Sequence, residues 1–362
     1  MSKGRFQKKA RRTGLKVVLA ILGIIAVCGL GGVAYANSTL NDMLGEVNHV
    51  EVAKTVYDKP AQETEVPGQT ETIPQTEPAG AEEKQPEVVY SPEDFTNFLV
   101  VCKPVWENDV GVVTDTMILC TLNNRSRTVT MTQLLPDAYV QTRDYKGLAA
   151  AQVPLGTVYG LGSNYGGKAG SMELMNQTLY DNFGIEIDHN FEFDFELFAK
   201  VVSRIDGVNI ELSNEEAAYL SEKTGKGIQA GDQYMNGELA LAYVRMWNEE
   251  KTTGISSIGC QRKLVMSILN KIKGQYVGDL GNIAKDMMPM VTTSMTNGEM
   301  REWLLDMLSL LRYLSVEKAD ACPANYQAET VLNAKGDEIT VLTFDVAEVT
   351  KVMRELTKGE KN

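Results

Sequence analysis

Residues 114–135 read TDTMILCTLNNRSRTVTMTQLL. Two apolar stretches, Met117 to Leu122 and Arg127 to Leu134, flank the polar cluster Asn123 to Ser126. Runs rich in β-branched and apolar side chains on either side of such a cluster predict a β-hairpin. Just upstream, Phe98 to Val101 is a short continuous apolar run, the pattern of a strand buried on both faces. Downstream, Phe191 to Phe195 alternates apolar and acidic residues as a strand does, and Ile339 to Thr343 reads as another strand. Helical stretches lie between these strands. They run from Ser171 to Phe183, from Gly237 to Met246, from Cys260 with Leu264, Ile268, Leu269 and Ile272 on one face, and from Met300 to Leu311. Ser91 with Asp94, Ser213 with Glu216, and Asp345 with Glu348 have the spacing of helix caps. Strands interspersed with helices predict a single α/β domain, layered α/β/α around a central mixed sheet, over residues 92–358.

Outside this domain the composition changes sharply. The chain has 362 residues and a formal net charge of −13, yet its first sixteen residues hold seven bases and no acid. The remainder is therefore strongly acidic, which excludes a nucleic-acid binder, because the phosphate backbone demands a cationic footprint. Val17 to Ala36 contain no charged side chain. Twenty helical residues span about 30 Å, the thickness of a bilayer's hydrocarbon core. Basic residues are retained on the cytoplasmic side, so the pattern predicts a cytoplasmic tail over 1–16 and a single transmembrane helix over 17–36. The rest then lies outside the cell membrane as an extracellular domain. Ala34 and Ala36 also fit a small-x-small cleavage site, and a cleaved signal peptide would export the same domain. Residues 37–91, rich in Pro, Glu and Thr, predict a disordered stalk, with order beginning at Ser91.

Cys28 falls in the expected span, and Cys102, Cys120, Cys260 and Cys322 fall beyond it. These four allow either two disulfides, in any of three pairings, or four buried thiols. With only His49 and His189 and no CxxC, a His-rich zinc site is excluded.

Several blocks taken together resemble the LytR-CpsA-Psr family. Thr114-Asp115-Thr116-Met117-Ile118-Leu119 resembles its S-D-T-M-M-L segment, and Pro136-Asp137 stands at its Arg-Asp pair. Tyr165-Gly166-Gly167 resembles its Y-G-G, Gly184 to Asp188 its G-I-D-I-D, and Val201 to Val208 its V-D-x-L-G-G-V. The clearest block is Gly231 followed by Met235-Asn236-Gly237-Glu238-Leu239-Ala240-Leu241-Ala242-Tyr243-Val244-Arg245. The resemblance implies a phosphotransferase that moves a glycopolymer from a polyprenyl-pyrophosphate carrier to peptidoglycan with a Mg²⁺ ion. Such chemistry needs arginines to hold the pyrophosphate and hard carboxylate oxygens to hold the metal. Carried over residue by residue, it implies catalytic roles for Asp115 and Asp137, a metal-ligand role for Asp115, and pyrophosphate contacts for Arg245 and Gln261.

The chain departs from that pattern at its charged positions. Pro104 stands where the family has a metal-binding Asp, and Val113 and Pro136 stand where it has arginines. Val158 and Gly160 replace the Lys and Asn of its K-I-N, Trp247 replaces a second Arg, and Ser257 and Cys260 replace those of its R-x-x-R-Q. Two readings follow. One is a non-catalytic relative that binds a lipid-linked ligand or a partner and holds Mg²⁺ weakly or not at all. The other is an active transferase whose site is rebuilt from Arg143, Lys146, Lys168 or Arg204. Unbridged, Cys260 is expected to line the cleft that its family counterpart lines.

Overall fold

A computed structural model gives the fold. It describes residues 42, 44–55, 90–103, 114, 116–244, 260, 263–264, 267–268, 271, 286–310, 315–318 and 321–360. The expected hairpin forms as β3 (Thr116–Asn123) and β4 (Thr128–Leu134), paired antiparallel. Asn123 closes its turn by accepting the main-chain N–H groups of Arg125 and Ser126 through Oδ1, at 3.1 and 2.8 Å. The apolar run at Phe98 sits in β2 (Phe95–Lys103), antiparallel to β3 and parallel to β7 (His189–Asp194). The cap at Ser91 opens only one 3-10 turn, Pro92–Asp94, because β2 begins at the next residue.

The central sheet is mixed and seven-stranded, in the order β1-β10-β7-β2-β3-β4-β11. β1 (Asn48–His49) and β10 (Thr292–Thr293) form one edge, and β11 (Ser315–Lys318), parallel to β4, forms the other. Side chains on a strand alternate between faces, so a central strand such as β2 feeds two cores. Phe98, Val100 and Cys102 of β2 enter one core with Cys120, Leu122, Phe191 and Phe193. Leu99 and Val101 enter the other with Met117, Leu119 and Leu134.

The helices complete the layers. α1 (Leu155–Phe183) and α6 (Val346–Lys358) cover the second core. The first is covered by α2 (Phe195–Arg204), α3 (Asn214–Thr224) and α4 (Gly237–Val244), with the helical residues Cys260, Leu264 and Ile268 and the Trp303 side chain of α5 (Asn297–Leu310). The α/β/α layering therefore stands as expected. The capping boxes form at Ser213, and at Asp345 the carboxylate accepts the Glu348 N–H at 3.0 Å. Three small hairpins, β5–β6 (Tyr139–Gln141, Gln152–Pro154), β8–β9 (Val208–Leu212, Gly231–Met235) and β12–β13 (Gln327–Leu332, Glu338–Thr343), decorate the rim.

α1 starts sixteen residues before the helix expected at Ser171. It is broken at Gly167, whose φ of 60° and ψ of −151° suit only glycine, and the two arms fold back on each other. A Cβ on Gly162 would lie 2.2 Å from the carbonyl oxygen of Gly170, so the arms touch backbone to backbone.

Order does not begin at Ser91. Leu44 and Val47 are buried in the first core, and β1 pairs in parallel with β10. Part of the expected stalk over 37–91 is thus built into the domain. The average composition of that stretch hides a short apolar pair, Leu44 and Val47, which gains more by burial than by exposure. The expected membrane span and the basic tail lie outside the described residues, and no described helix is long and apolar enough to cross a membrane. Cys102, Cys120, Cys260 and Cys322 are all buried thiols, which decides against the two-disulfide alternative.

Candidate functional site

Three backbone segments meet at the start of β3. The Thr114 N–H donates to the Gly156 carbonyl at 2.8 Å, and the Gly156 N–H donates to the Pro136 carbonyl at 2.8 Å. The Leu155 N–H donates to Ala138 at 2.8 Å, so carbonyls of the 136–138 turn occupy the first donors of α1. A Cβ on Gly156 would meet the Thr114 carbonyl oxygen at 2.7 Å, which is why a glycine is needed there. The segment leading into Asp115, the Pro136-Asp137 turn and the start of α1 are thereby brought together.

Of the four residues singled out from the sequence, only Asp137 is among the described residues; Asp115, Arg245 and Gln261 lie outside them. Asp137 is exposed, and its carbonyl accepts the Leu342 N–H at 2.8 Å, which anchors the turn to β13. Thr114, next in the chain to Asp115, is fully buried, and its hydroxyl has no hydrogen-bond partner among the described residues. Val158 is fully buried in the second core, on the first arm of α1. It offers no cation where the family has a lysine.

Each of the four replacement cations meets a carboxylate of this chain. Arg143 binds Asp181, with both contacts at 2.7 Å. Lys146 lies 2.9 Å from Glu173, whose other contacts include the Tyr145 hydroxyl at 2.5 Å. Hydrogen bonds that the Lys146 ammonium donates to Tyr145, then to Glu173, hold it well above the usual lysine range. Arg204 pairs with Asp286. Lys168 donates to the Thr292 hydroxyl at 3.0 Å and lies 3.9 Å from the buried carboxylate of Glu192. Glu192 also accepts the Tyr159 hydroxyl at 2.5 Å. Burial first, then the Glu192 charge, pushes the Tyr159 phenol far up. Each candidate base therefore spends its charge on a carboxylate of this chain. For Mg²⁺ the same residues offer little: among the described residues no three His, Cys, Asp or Glu side chains gather, and Asp137 contributes a single carboxylate at the convergence.

Cys260 does not line a cleft. It is buried in the first core, and its thiol donates to Glu216 at 3.4 Å. Burial, then the nearby Glu216 charge, pushes that thiol up to about 12. Glu216 is a hub that pattern reading found only as a cap. Its carboxylate accepts the Ser213 N–H at 2.8 Å, the Tyr243 hydroxyl at 3.0 Å and the Lys263 ammonium at 2.7 and 3.0 Å. It ties α3 to α4, which leads into Arg245, and to the helical residues that flank Gln261. The Ser213 spacing was visible in the sequence. Nothing local signals that Lys263, nearly fifty residues on, supplies the counter-charge.

Comparison with known proteins places this geometry among relatives. The chain is 25% identical over 173 residues to the polyisoprenyl-teichoic acid–peptidoglycan teichoic acid transferase TagV of Bacillus subtilis (strain 168), covering 47% of this chain and 40% of that protein. It is 22% identical over 270 residues to TagU of the same organism, covering 73% of this chain and 72% of TagU. The matched stretch thus spans less than half of TagV. The crystal structure of B. subtilis TagT superposes with a TM-score of 0.52 at 17% identity, covering 87% of this chain and 100% of that one, and so shares the fold. The model of the LytR_cpsA_psr family matches residues 64–356, and the chain belongs to that family.

Proposed function

We propose that this chain is a membrane-anchored, extracellular member of the cell-envelope machinery that attaches wall glycopolymers, and that it binds a lipid-linked ligand or a partner without transferring it. Family membership and the names of TagV and TagU support the envelope role. The observation that carries the non-catalytic reading is the pairing of Arg143, Lys146, Lys168 and Arg204 with carboxylates. Phosphoryl transfer depends almost entirely on positioning and electrostatic stabilisation of the transferring group. Losing one charge-assisted contact to an anion costs about 1.5–3 kcal/mol. Here Val113, Pro136, Val158 and Trp247 remove several such contacts, and Arg143, Lys146, Lys168 and Arg204 each pair with a carboxylate. Phosphate binding then rests on Arg245 and Gln261, and any Mg²⁺ on Asp115.

Restoration tests this better than deletion, because deletion cannot tell an idle residue from a dead site. The full-length chain and a Pro104→Asp, Val113→Arg, Pro136→Arg variant would be compared in a glycan-transfer assay from polyprenyl-pyrophosphate to peptidoglycan. The expected outcome is no transfer by the natural chain and a gain in pyrophosphate affinity in the variant. Transfer by the natural chain would show that its site is rearranged and active.

A further inference from the structure

Residues 44–55 run as a strap across the β1–β10 edge of the sheet. At one end Leu44 and Val47 are buried in the first core. In the middle, the Asn48 N–H donates to Val291 at 3.0 Å and the Val50 N–H donates to Thr293 at 2.8 Å, sealing β1 onto β10. The Asn48 side-chain amide donates to the Pro289 carbonyl at 2.6 Å. The His49 ring nitrogens lie 2.6 Å from the Met295 carbonyl and 3.1 Å from that of Leu44. At the far end Val52 packs on the second core, and the Ala53 N–H donates to Glu173 at 3.1 Å. The strap therefore holds both faces of the sheet at one edge. The chain leaves the described fold after Thr55 and re-enters it at Tyr90.

This placement bears on how the domain sits. The reach of the tether follows from the proposed span over residues 17–36. Ala36, its end, is eight residues from Leu44, a reach of at most about 28 Å when fully extended. A flexible stalk running all the way to Ser91 would instead average about 40 Å from end to end and reach far further. We propose that the strap docks the β1–β10 edge against the lipid headgroup surface, and that the acidic, Pro-rich run over 56–89 is no spacer between membrane and domain. The exposed strap residues Glu46, Glu51 and Lys54 carry no net positive charge, so the covalent tether sets the placement, not attraction to anionic lipid. β4 lies five strands from β1 in the sheet. At about 4.8 Å per strand, the hairpin turn before β4 is roughly 24 Å further along the sheet than the strap.

The full-length chain, carrying Cys28→Ser, would be reconstituted in phosphatidylcholine vesicles doped with a headgroup-attached quencher. One fluorophore would be placed at Glu51→Cys or at Ser126→Cys, both exposed positions; the four other thiols are buried. The expected result is at least twofold stronger quenching at position 51 than at position 126. That ratio persists when residues 56–89 are replaced by a short Gly-Ser linker. It collapses when a thirty-residue Gly-Ser insert separates Asn37 from Leu40. Equal quenching of the two labels in a chain that floats with the vesicles would overturn the proposal and leave the anchor standing, as would loss of the ratio on removing 56–89. A chain that does not float with vesicles would overturn the anchor and the proposal together.

Discussion

Glu216 shows how much chemistry one position can carry without being part of a reaction. Burial pushes its carboxyl up, but the Lys263 ammonium, the Ser213 N–H and the Tyr243 hydroxyl outweigh burial and hold it below the usual carboxylate range. Because the folded state lowers this value, the stabilisation is present at neutral pH and is lost as the pH falls through the carboxylate range, about 4 and below. Glu216→Gln keeps the shape, removes the charge, and should cost roughly 2 kcal/mol at pH 7. Urea titrations at pH 7 and pH 3 should show that penalty shrinking at the lower pH. A penalty independent of pH would deny Glu216 this role. Cys260 belongs to the same lesson. The motif alignment expected it in a cleft, but its thiol is buried in the first core beside Glu216, so the alignment is wrong at that position. Cys102, Cys120, Cys260 and Cys322 should all resist alkylation in the folded protein and react fully in denaturant.

At the scale of the element, the readable parts are those with a clean period. The second arm of α1 was legible from Ser171 onward because Met172, Met175, Leu179 and Phe183 recur on one buried face. Its first arm was not, because Gly156, Gly160, Gly162 and Gly166 lower helix propensity and erase the pattern. The structure supplies the reason for two of them: Gly156 admits the Thr114 carbonyl and Gly162 admits Gly170. Gly162→Ala should therefore destabilise the fold by roughly 2 kcal/mol, against the slight stabilisation that Ala confers in an unconstrained helix. A thermal melt at or above that of the natural chain would refute the close crossing of the two arms. The strap escaped sequence reading for a different reason: two residues of strand, with Leu44 and Val47 beside them, are too short a signal inside a polar stretch. Leu44→Ala should cost about 2–3 kcal/mol if it is part of the core, and almost nothing if residues 37–91 were a free stalk.

For the whole molecule, the layered fold was legible because strands β2 and β3 feed both cores, β7 feeds the first, and helices of period 3.6 cover each face. The family was legible because block order survives where individual side chains do not. What the sequence could not supply was the fate of charge, since ion pairs such as Arg143 with Asp181 and Lys146 with Glu173 join residues tens of positions apart. That fate carries the central claim, a family fold retained with its phosphate chemistry lost. Calorimetric titration of the full-length chain with polyprenyl-pyrophosphate, with and without Mg²⁺, tests it most directly. The account predicts weak binding that Mg²⁺ leaves unchanged; tight binding that appears only with Mg²⁺ would contradict it.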